Sequence, residues 1–391
     1  MTTTYTYAVL GAGRQGTAAA YDLARHGRAA RVLLADRDPV QARRAAARVN
    51  RLLGREVALP AVLDVADEDA VRGFLAPVDA AISAVPFQYN LGLTWAAIAA
   101  GTHLCDMGGH TATVFRQLEY DAAARAAGVS IVPDCGMGPG LINTLGAYIV
   151  EHMDRPRHVR IYDGGLPRHP RPPWNYALTF HINGLTNEYA GTTVLLIDGR
   201  LTEVEGLTGY ERLTIEPLGE LEAFITTGGA STAPWTFAGR LETYVNKTLR
   251  YPGHYEWFRA FKQLGLFDEA PIEVDGQRVV PRAVYHALLE PQIRARPDEP
   301  DVAVIRVVGE GEHDGRPARW VLDVLDEYDP ATGFRAMERL TGWHCAAMSI
   351  FQAQGVVPAG AHPQETAVPP ARMLDALRAR GIAIREARAA R

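Results

Sequence analysis

Along residues 5–140 short apolar runs alternate with longer amphipathic stretches. "YAVLGAG" (7–13) reads as a buried strand entering a tight turn, and "GTAAAYDLARHG" (16–27) as a helix closed by Gly27. "ARVLLAD" (30–36) is a second strand ending at Asp36, and "PVQARRAAARVNRLLG" (39–54) a helix that starts at Pro39 and stops at Gly54. Pro suits the first turn of a helix and Gly the residue past its end. "VDAAISAVP" (78–86) is a further buried strand, followed by a helix through "LTWAAIAAG" (93–101). "THLCDMG" (102–108) and "VSIVPDCGMGPG" (129–140) are two more strand ends. Alternation of this kind predicts an α/β domain with a parallel, doubly wound sheet.

From about residue 155 the pattern changes. "HVRIYDGGL" (158–166), "YALTFHI" (176–182), "VLLIDGRLTEVEG" (194–206), "VAVIRVVGEGE" (302–312) and "RWVLDVLDEYD" (319–329) read as strands, with fewer helical stretches between them. They predict a second, α+β domain with a mixed or antiparallel sheet. "PRHPRPPWN" (167–175) reads as a loop. The chain then returns to helix in "GWHCAAMSIFQAQG" (342–355) and "PPARMLDALRARG" (369–381). The expected division is 1–130 for the first domain, 131–344 for the second, and 345–391 for a C-terminal helical segment packing back on the first. A chain of 391 residues agrees with two cores, because one core rarely grows past about 250–300 residues.

Composition narrows the function classes. A net charge of −5 leaves no basic stripe for nucleic acid or polybasic patch for a membrane surface. The longest apolar runs fall well short of the roughly 20 residues that span a bilayer. A soluble, cytoplasmic protein acting on a small molecule is expected. The cysteines, Cys105, Cys135 and Cys345, are odd in number and far apart, and the twelve histidines contain no HExxH. No disulfide framework and no metal site is expected. Only two lysines, Lys247 and Lys262, stand against 38 arginines.

The clearest chemical signal is "GAGRQG" (11–16). Gly11 permits the turn, Gly13 lets a pyrophosphate approach the backbone, and Gly16 lets helix and strand pack closely. The free N–H groups of the following helix, with Arg14 and Gln15, face the phosphates. Placed after a strand, before a helix and 20 residues ahead of Asp36, these glycines predict a Rossmann domain. Asp36 would accept bonds from the adenosine ribose, favouring NAD over NADP, while the adjacent Arg37 is the residue that would hold a 2′-phosphate. Ala84, Val85 and Pro86, at the carboxyl end of a strand, are expected along the cofactor.

Three further stretches, "CDMGGH" (105–110), "PDCGMGPGLIN" (133–143) and "NKTLRYPGH" (246–254), stand where the substrate chemistry is expected. Together with the glycine-rich loop, and with "FQYN", "GGLP", "WNYALTF" and "GGAST" in order along the chain, they resemble the saccharopine dehydrogenase (reductase) family, most like its lysine 6-dehydrogenase branch. Cys135 departs from that branch, which is expected to carry an apolar residue there; a cysteine fits the saccharopine-forming reductases. The resemblance implies hydride exchange at a carbon bearing nitrogen, with the second domain supplying contacts of a homodimer or homotetramer. For lysine, oxidation of C6 would give an imine, then ammonia and a semialdehyde that cyclises. The nearest rival forms glutamate from saccharopine, and an imine-reducing polyamine enzyme would share the same parts. Asp106 and His110 are the candidate proton acceptors, with Cys135 as a softer relay. Lys247, Arg250 and His254 are candidates for gripping a carboxylate and polarising water, Arg250 through its planar fork. Trp174 and Tyr176 are candidates to close over the substrate's methylenes. Arg168 and Arg171 would serve the extra carboxylates of saccharopine.

Overall fold

The computed structural model describes residues 3–179, 181–296 and 299–390; Phe180, inside the strand expected over 176–182, lies outside them. Six strands of the first sheet arise in chain order: β1 (Tyr5–Leu10), β2 (Ala29–Asp36), β3 (Ala58–Val62), β4 (Ala80–Ser83), β5 (His103–Asp106) and β6 (Ser130–Val132). They lie in the order β6-β5-β4-β1-β2-β3, all parallel, with Gly360–Ala361 added beyond β6. The order reverses between β1 and β4, and ligands of such sheets lie in the crevice at that switch point. The apolar runs became the central strands because Tyr7–Leu10 and Ala80–Ile82 are wholly buried. The edge strand β3 was not expected. It holds Pro60, and Leu59 and Val62 are exposed, so its pattern does not read as a buried strand. The helix Pro39–Leu53 starts and stops as expected, with the Asp38 side chain accepting from Val40 N and Gly54 left-handed at φ 65°.

The second sheet has nine strands. β7 (Arg155–Pro167) is joined by the hairpin β8 (Thr192–Ile197) and β9 (Arg200–Glu205), then β10 (Glu211–Ile215), β11 (Gly219–Phe224) and β12 (Thr243–Arg250). A small separate hairpin, β13 (Ile272–Val274) and β14 (Gln277–Val279), precedes β15 (Asp301–His313) and β16 (Arg316–Glu327). The principal order is β10-β11-β12-β7-β15-β16, mixed because β12 runs parallel to β7 while the other pairs are antiparallel. One face carries Val159, Ile161, Ala303, Ile305 and Val307 into the main core, where Trp320 and Tyr244 are also buried. Helix Leu141–His152 presses on this face closely enough that a Cβ on Gly146 would sit 2.9 Å from the Tyr244 hydroxyl.

Three expectations need correction. Among the described residues of 176–182 no strand forms; Leu178 makes one bridge to Arg294, and Ile182–Tyr189 is a helix whose N-terminus His181 caps through its side chain. The boundary at 344/345 falls inside the helix Ala336–Ala353. That helix lies on Arg14–His26 with Gly342 at the crossing, where a Cβ would meet Ala18 Cβ at 3.0 Å. Nor is the C-terminal segment wholly helical. After the helix Pro370–Arg378, β17 having been Gly360–Ala361, a last strand β18 (Ile384–Ala390) pairs with β16. Its sequence, "IREARAA", has little apolar alternation; what seats it is the sheet edge, with the Arg388 guanidinium 4.1 Å from the Trp320 ring centroid. Among the described residues no helix is long and apolar enough to cross a membrane.

Candidate active site

The glycine-rich turn leaves an open cradle. Gly11 has φ 103°, and a Cβ on it would lie 2.6 Å from Ala84 O. A Cβ on Gly16 would lie 1.9 Å from Gly11 O, so neither position accepts a side chain without moving backbone. Gly13 is different: nothing lies within 4 Å of the Cβ it lacks, and it caps the helix Arg14–His26 with no side chain over the first turn. Free N–H groups and the positive end of the helix dipole therefore face open space, which fits a pyrophosphate. The Gln15 side-chain oxygen beside the cradle is buried without a hydrogen bond. Asp36 stands at the end of β2 with Oδ2 accepting from Ala12 N (2.9 Å) and Oδ1 from Asp38 N (3.0 Å), while Arg37 is exposed beside it. Val85 packs against the turn, and Pro86 leads into the short turn Phe87–Tyr89. The residues expected along a dinucleotide thus share one edge of the sheet.

Asp106 is buried and fully engaged. Its Oδ1 accepts from Gly108 N (2.8 Å) and Asp134 N (3.1 Å), and its Oδ2 from Gln117 Nε2 (2.8 Å). Burial pushes its pKa up to about 6 against these three bonds. Asp106 therefore holds the loops after β5 and β6 together, and no carboxylate oxygen is left without a donor. Replacing it by Asn puts an amide against N–H donors, so Asp106→Asn should cost about 1–3 kcal/mol of stability, read as a lower urea midpoint. Lost turnover at an unchanged midpoint would return Asp106 to the reacting groups. His110 is an exposed cap: Nδ1 accepts from Thr113 N (3.3 Å), and the ring stacks on Phe87 at 4.6 Å. Cys135 faces away from the site. Its sulfur lies 3.4 Å from Val132 O in the first domain's core, where Cys105 and Cys345 meet with their sulfurs 3.6 Å apart. All three are buried free thiols.

Between the loop after β6 and the inner face of the second sheet lies a partly open chamber of about 60 Å³, lined among others by Met137, Asp163, Tyr176, Thr179, Glu188 and Arg250. Asp163 and Arg250 reach it for the same reason. Inward positions of β7 run Val159, Ile161, Asp163, those of β12 run Tyr244, Asn246, Thr248, Arg250, and the register sets Asp163 opposite Thr248. Asp163 Oδ1 accepts from Asn246 Nδ2 (2.6 Å). Oδ2 receives no hydrogen bond from any described residue and points towards Gly138, whose missing Cβ would be 2.8 Å away. Burial raises the Asp163 pKa to about 6, with the Asn246 bond and the Arg250 charge opposing. Arg250 is buried. Nε donates to the Tyr189 hydroxyl (3.0 Å), Nη1 to Leu249 O (2.9 Å) and Nη2 reaches Glu188 Oε2 (3.3 Å); the guanidinium carbon lies 5.1 Å from the Tyr176 ring centroid. Burial raises the Glu188 pKa to about 7, and Arg250 holds it from rising further.

The other candidates separate. Lys247 sits on the opposite face of β12 from Arg250, 2.6 Å from Glu211. Side chains three apart on a strand point to opposite faces, so one segment could not supply both to one site. His254 is buried behind Arg250, with Nε2 2.9 Å from the Tyr189 hydroxyl, and desolvation keeps its imidazole neutral. It positions Tyr189 and does not touch the chamber. Trp174 bonds Gln292 (3.2 Å) and packs on Trp257 outside the chamber, whereas Tyr176 forms its wall. Arg168 is paired with Glu327 (2.8 Å) and Arg171 with Glu299 (3.1 Å). A wider cleft of about 560 Å³ adjoins the chamber at Thr227, between Phe87 and His110 on one side and Thr192, Trp235 and Arg282 on the other.

Asp163, Glu188 and Asn246 were not expected. The signal for Asp163 was present, a carboxylate at an inward position of an apolar strand followed by two glycines. Glu188 carries no such mark, since only the fold brings it to Arg250. Asp134 was also missed. It has a left-handed backbone (φ 61°) and accepts from the hydroxyl of Ser231, itself left-handed (φ 44°), across the two domains. Burial, then the charges of Asp106 and Glu365, raise the Asp134 pKa to about 8.

Comparison with known proteins gives a consistent result. Residues 7–132 match a family model described as the saccharopine dehydrogenase NADP binding domain, and residues 136–382 one described as the saccharopine dehydrogenase C-terminal domain. A protein of Schizosaccharomyces pombe named saccharopine dehydrogenase (NADP(+), L-glutamate-forming) is 25% identical over 221 residues, 54% of this chain and 48% of that protein. Its namesake in Saccharomyces cerevisiae is 21% identical over 221 residues, 54% of this chain and 49% of that protein. The chain thus spans about half the length of the curated relatives it matches. A solved structure of apo saccharopine dehydrogenase (L-Glu forming) from Saccharomyces cerevisiae has a TM-score of 0.78 and covers 98% of this chain and 100% of its own, at 18% identity, a likeness of fold.

Proposed function

Because the chain belongs to the saccharopine dehydrogenase family, we propose that it is an NAD(P)-dependent oxidoreductase acting on a carbon–nitrogen bond of an amino-acid substrate. The observation that carries this reading is the chamber beside the dinucleotide edge, where a buried guanidinium and a buried carboxylate with an unbonded oxygen complement a substrate bearing both a carboxylate and an amine. The nicotinamide ring, when bound, supplies the hydride acceptor. Arg250 holds a substrate carboxylate through its fork. Asp163 Oδ2 takes a proton from the amine, freeing the nitrogen lone pair that expels the hydride from the adjacent carbon. Tyr176, Met137 and Met337 supply apolar lining to the chamber. Water then adds to the resulting carbon–nitrogen double bond, and the bond to nitrogen breaks.

The relatives' names favour the secondary amine, saccharopine, whose cleavage forms glutamate. One observation supports the primary amine of lysine as a second reading. Arg250 is the guanidinium lining the chamber, and Arg168 and Arg171, which extra carboxylates would need, stand outside that lining. For the coenzyme, the Asp36 carboxylate supports NAD, and the relatives' names support NADP with Arg37 as its anchor. One assay tests these readings: NADH and NADPH formation over saccharopine, lysine, ornithine and carboxylated polyamines, with glutamate and ammonia measured in parallel. Glutamate release selects the first reading and ammonia release from lysine the second. A tenfold preference for NADP, about 1.4 kcal/mol, would set aside the Asp36 argument. Tight dinucleotide binding with no reduction over any of these amines would sink the enzymatic reading.

A further inference from the structure

Arg14 joins the nucleotide cradle to the chamber wall. It is the first residue of the helix Arg14–His26, directly after Gly13. Its Nη1 donates to Thr179 O at 3.2 Å, across 165 positions of sequence. Thr179 lines the chamber together with Tyr176. The strap that carries both is fastened at Leu178, whose N–H donates to Ile293 O (2.7 Å) and whose carbonyl accepts from Ala295 N (3.1 Å), and at Asn175, which bonds Pro252 O (3.3 Å). Within residues 11–16, Arg14 makes the side-chain hydrogen bond to the second domain among the described residues. Desolvation and then the neighbouring Arg335 make the charge on Arg14 less favourable, with Arg294 adding to this and Glu338 and Asp301 opposing it. An anion arriving at the cradle relieves that cost. A guanidinium can serve a phosphate with one edge while Nη1 keeps the carbonyl, because its donors point in fixed, different directions.

We propose that Arg14 is a positioning residue that couples the two ligands: a pyrophosphate on the cradle holds Arg14 against Thr179, firms the Trp174–Thr179 strap, and so makes the dinucleotide and the amino acid bind with positive cooperativity. The proposal rests on the reading of a dinucleotide cradle beside a substrate chamber. Coupling of this kind is reciprocal, so each ligand raises the affinity for the other by the same factor.

The test needs no substrate and no turnover. Amide hydrogen exchange is followed at Leu178 and Ala295 in the full chain, with and without saturating NADH or NADPH, whose binding is read separately by fluorescence. In the unmodified protein the dinucleotide should slow exchange at these amides by roughly 5- to 150-fold, the usual range of coupling between sites. Arg14→Met should still bind dinucleotide at saturation but lose the slowing. Arg14→Lys, with one compact ammonium, should keep only part of it, and serves also if the Met variant fails to fold. Bound dinucleotide with no slowing in the unmodified protein, or equal slowing in both variants, overturns the coupling and leaves the functional reading intact. Absence of dinucleotide binding in the unmodified protein overturns both.

Discussion

Asp163→Asn should lower turnover by roughly 10²- to 10⁴-fold, the usual contribution of a positioned general base, while dinucleotide affinity stays unchanged. The asparagine keeps the size of the side chain and the contact with Asn246 but has no lone-pair oxygen free to take a proton. Because the Asp163 pKa is about 6, amine oxidation should rise as pH climbs through that value and level off above it. The variant should lose this step. The sign for stability is opposite. The folded protein holds a proton at Asp163 that the unfolded chain, with an ordinary carboxyl near 3.8, has already released. This group therefore lowers stability as pH rises from about 4 to about 6, and Asp163→Asn should flatten that part of the stability profile. A variant that turns over normally at saturating substrate would show that the proton goes elsewhere, with Glu188 on the other side of Arg250 the next group to remove.

Arg250→Lys should reduce kcat/KM for a carboxylate-bearing amine by roughly 10- to 150-fold. A charge-assisted hydrogen bond contributes about 1.5–3 kcal/mol, and an ammonium does not reproduce the two parallel bonds of a guanidinium. The structure adds a complication, because Arg250 also supports Tyr189 and Glu188. Comparison with a decarboxylated amine separates the two roles. If lysine is accepted, cadaverine has the same amine without the carboxylate and should lose far less. Equal losses for both compounds would show that Arg250 works through Tyr189 and Glu188 on the shape of the chamber. The urea midpoint of the variant gives a second readout, since a structural role moves it and a pure substrate contact leaves it near that of the unmodified protein.

How far the site was legible depends on the range of the interactions that build it. The cradle of Gly11, Gly13, Gly16 and Asp36 was readable because its parts are joined by one strand–turn–helix–strand run, and Asp36 returns to Ala12 over 24 positions. Within "KTLRYPGH" the chemistry was readable but its orientation was not used: once the segment is a strand, the period of two puts Lys247 and Arg250 on opposite faces. Asp106 was rightly placed at a strand end, yet its role turned on donors from Gly108, Gln117 and Asp134, two of them from separate elements. The cysteines looked unrelated because 240 positions separate Cys105 from Cys345, which touch only through the helix Ala336–Ala353.

By itself the sequence determined the parallel α/β class of the first domain and the strand-rich α+β class of the second, because hydrophobic period and turn residues act over short stretches and leave their mark in order along the chain. Tertiary structure alone brought the charged groups of the chamber together. Asp163 meets Arg250 only because β7 and β12 pair in parallel with Asp163 opposite Thr248. Glu188 meets Arg250 only because the helix Ile182–Tyr189 packs behind that sheet edge. The reason is physical: a buried charge is held by partners that enclose it from several directions, and those directions are set by how strands register and helices pack, which no local pattern of residues records.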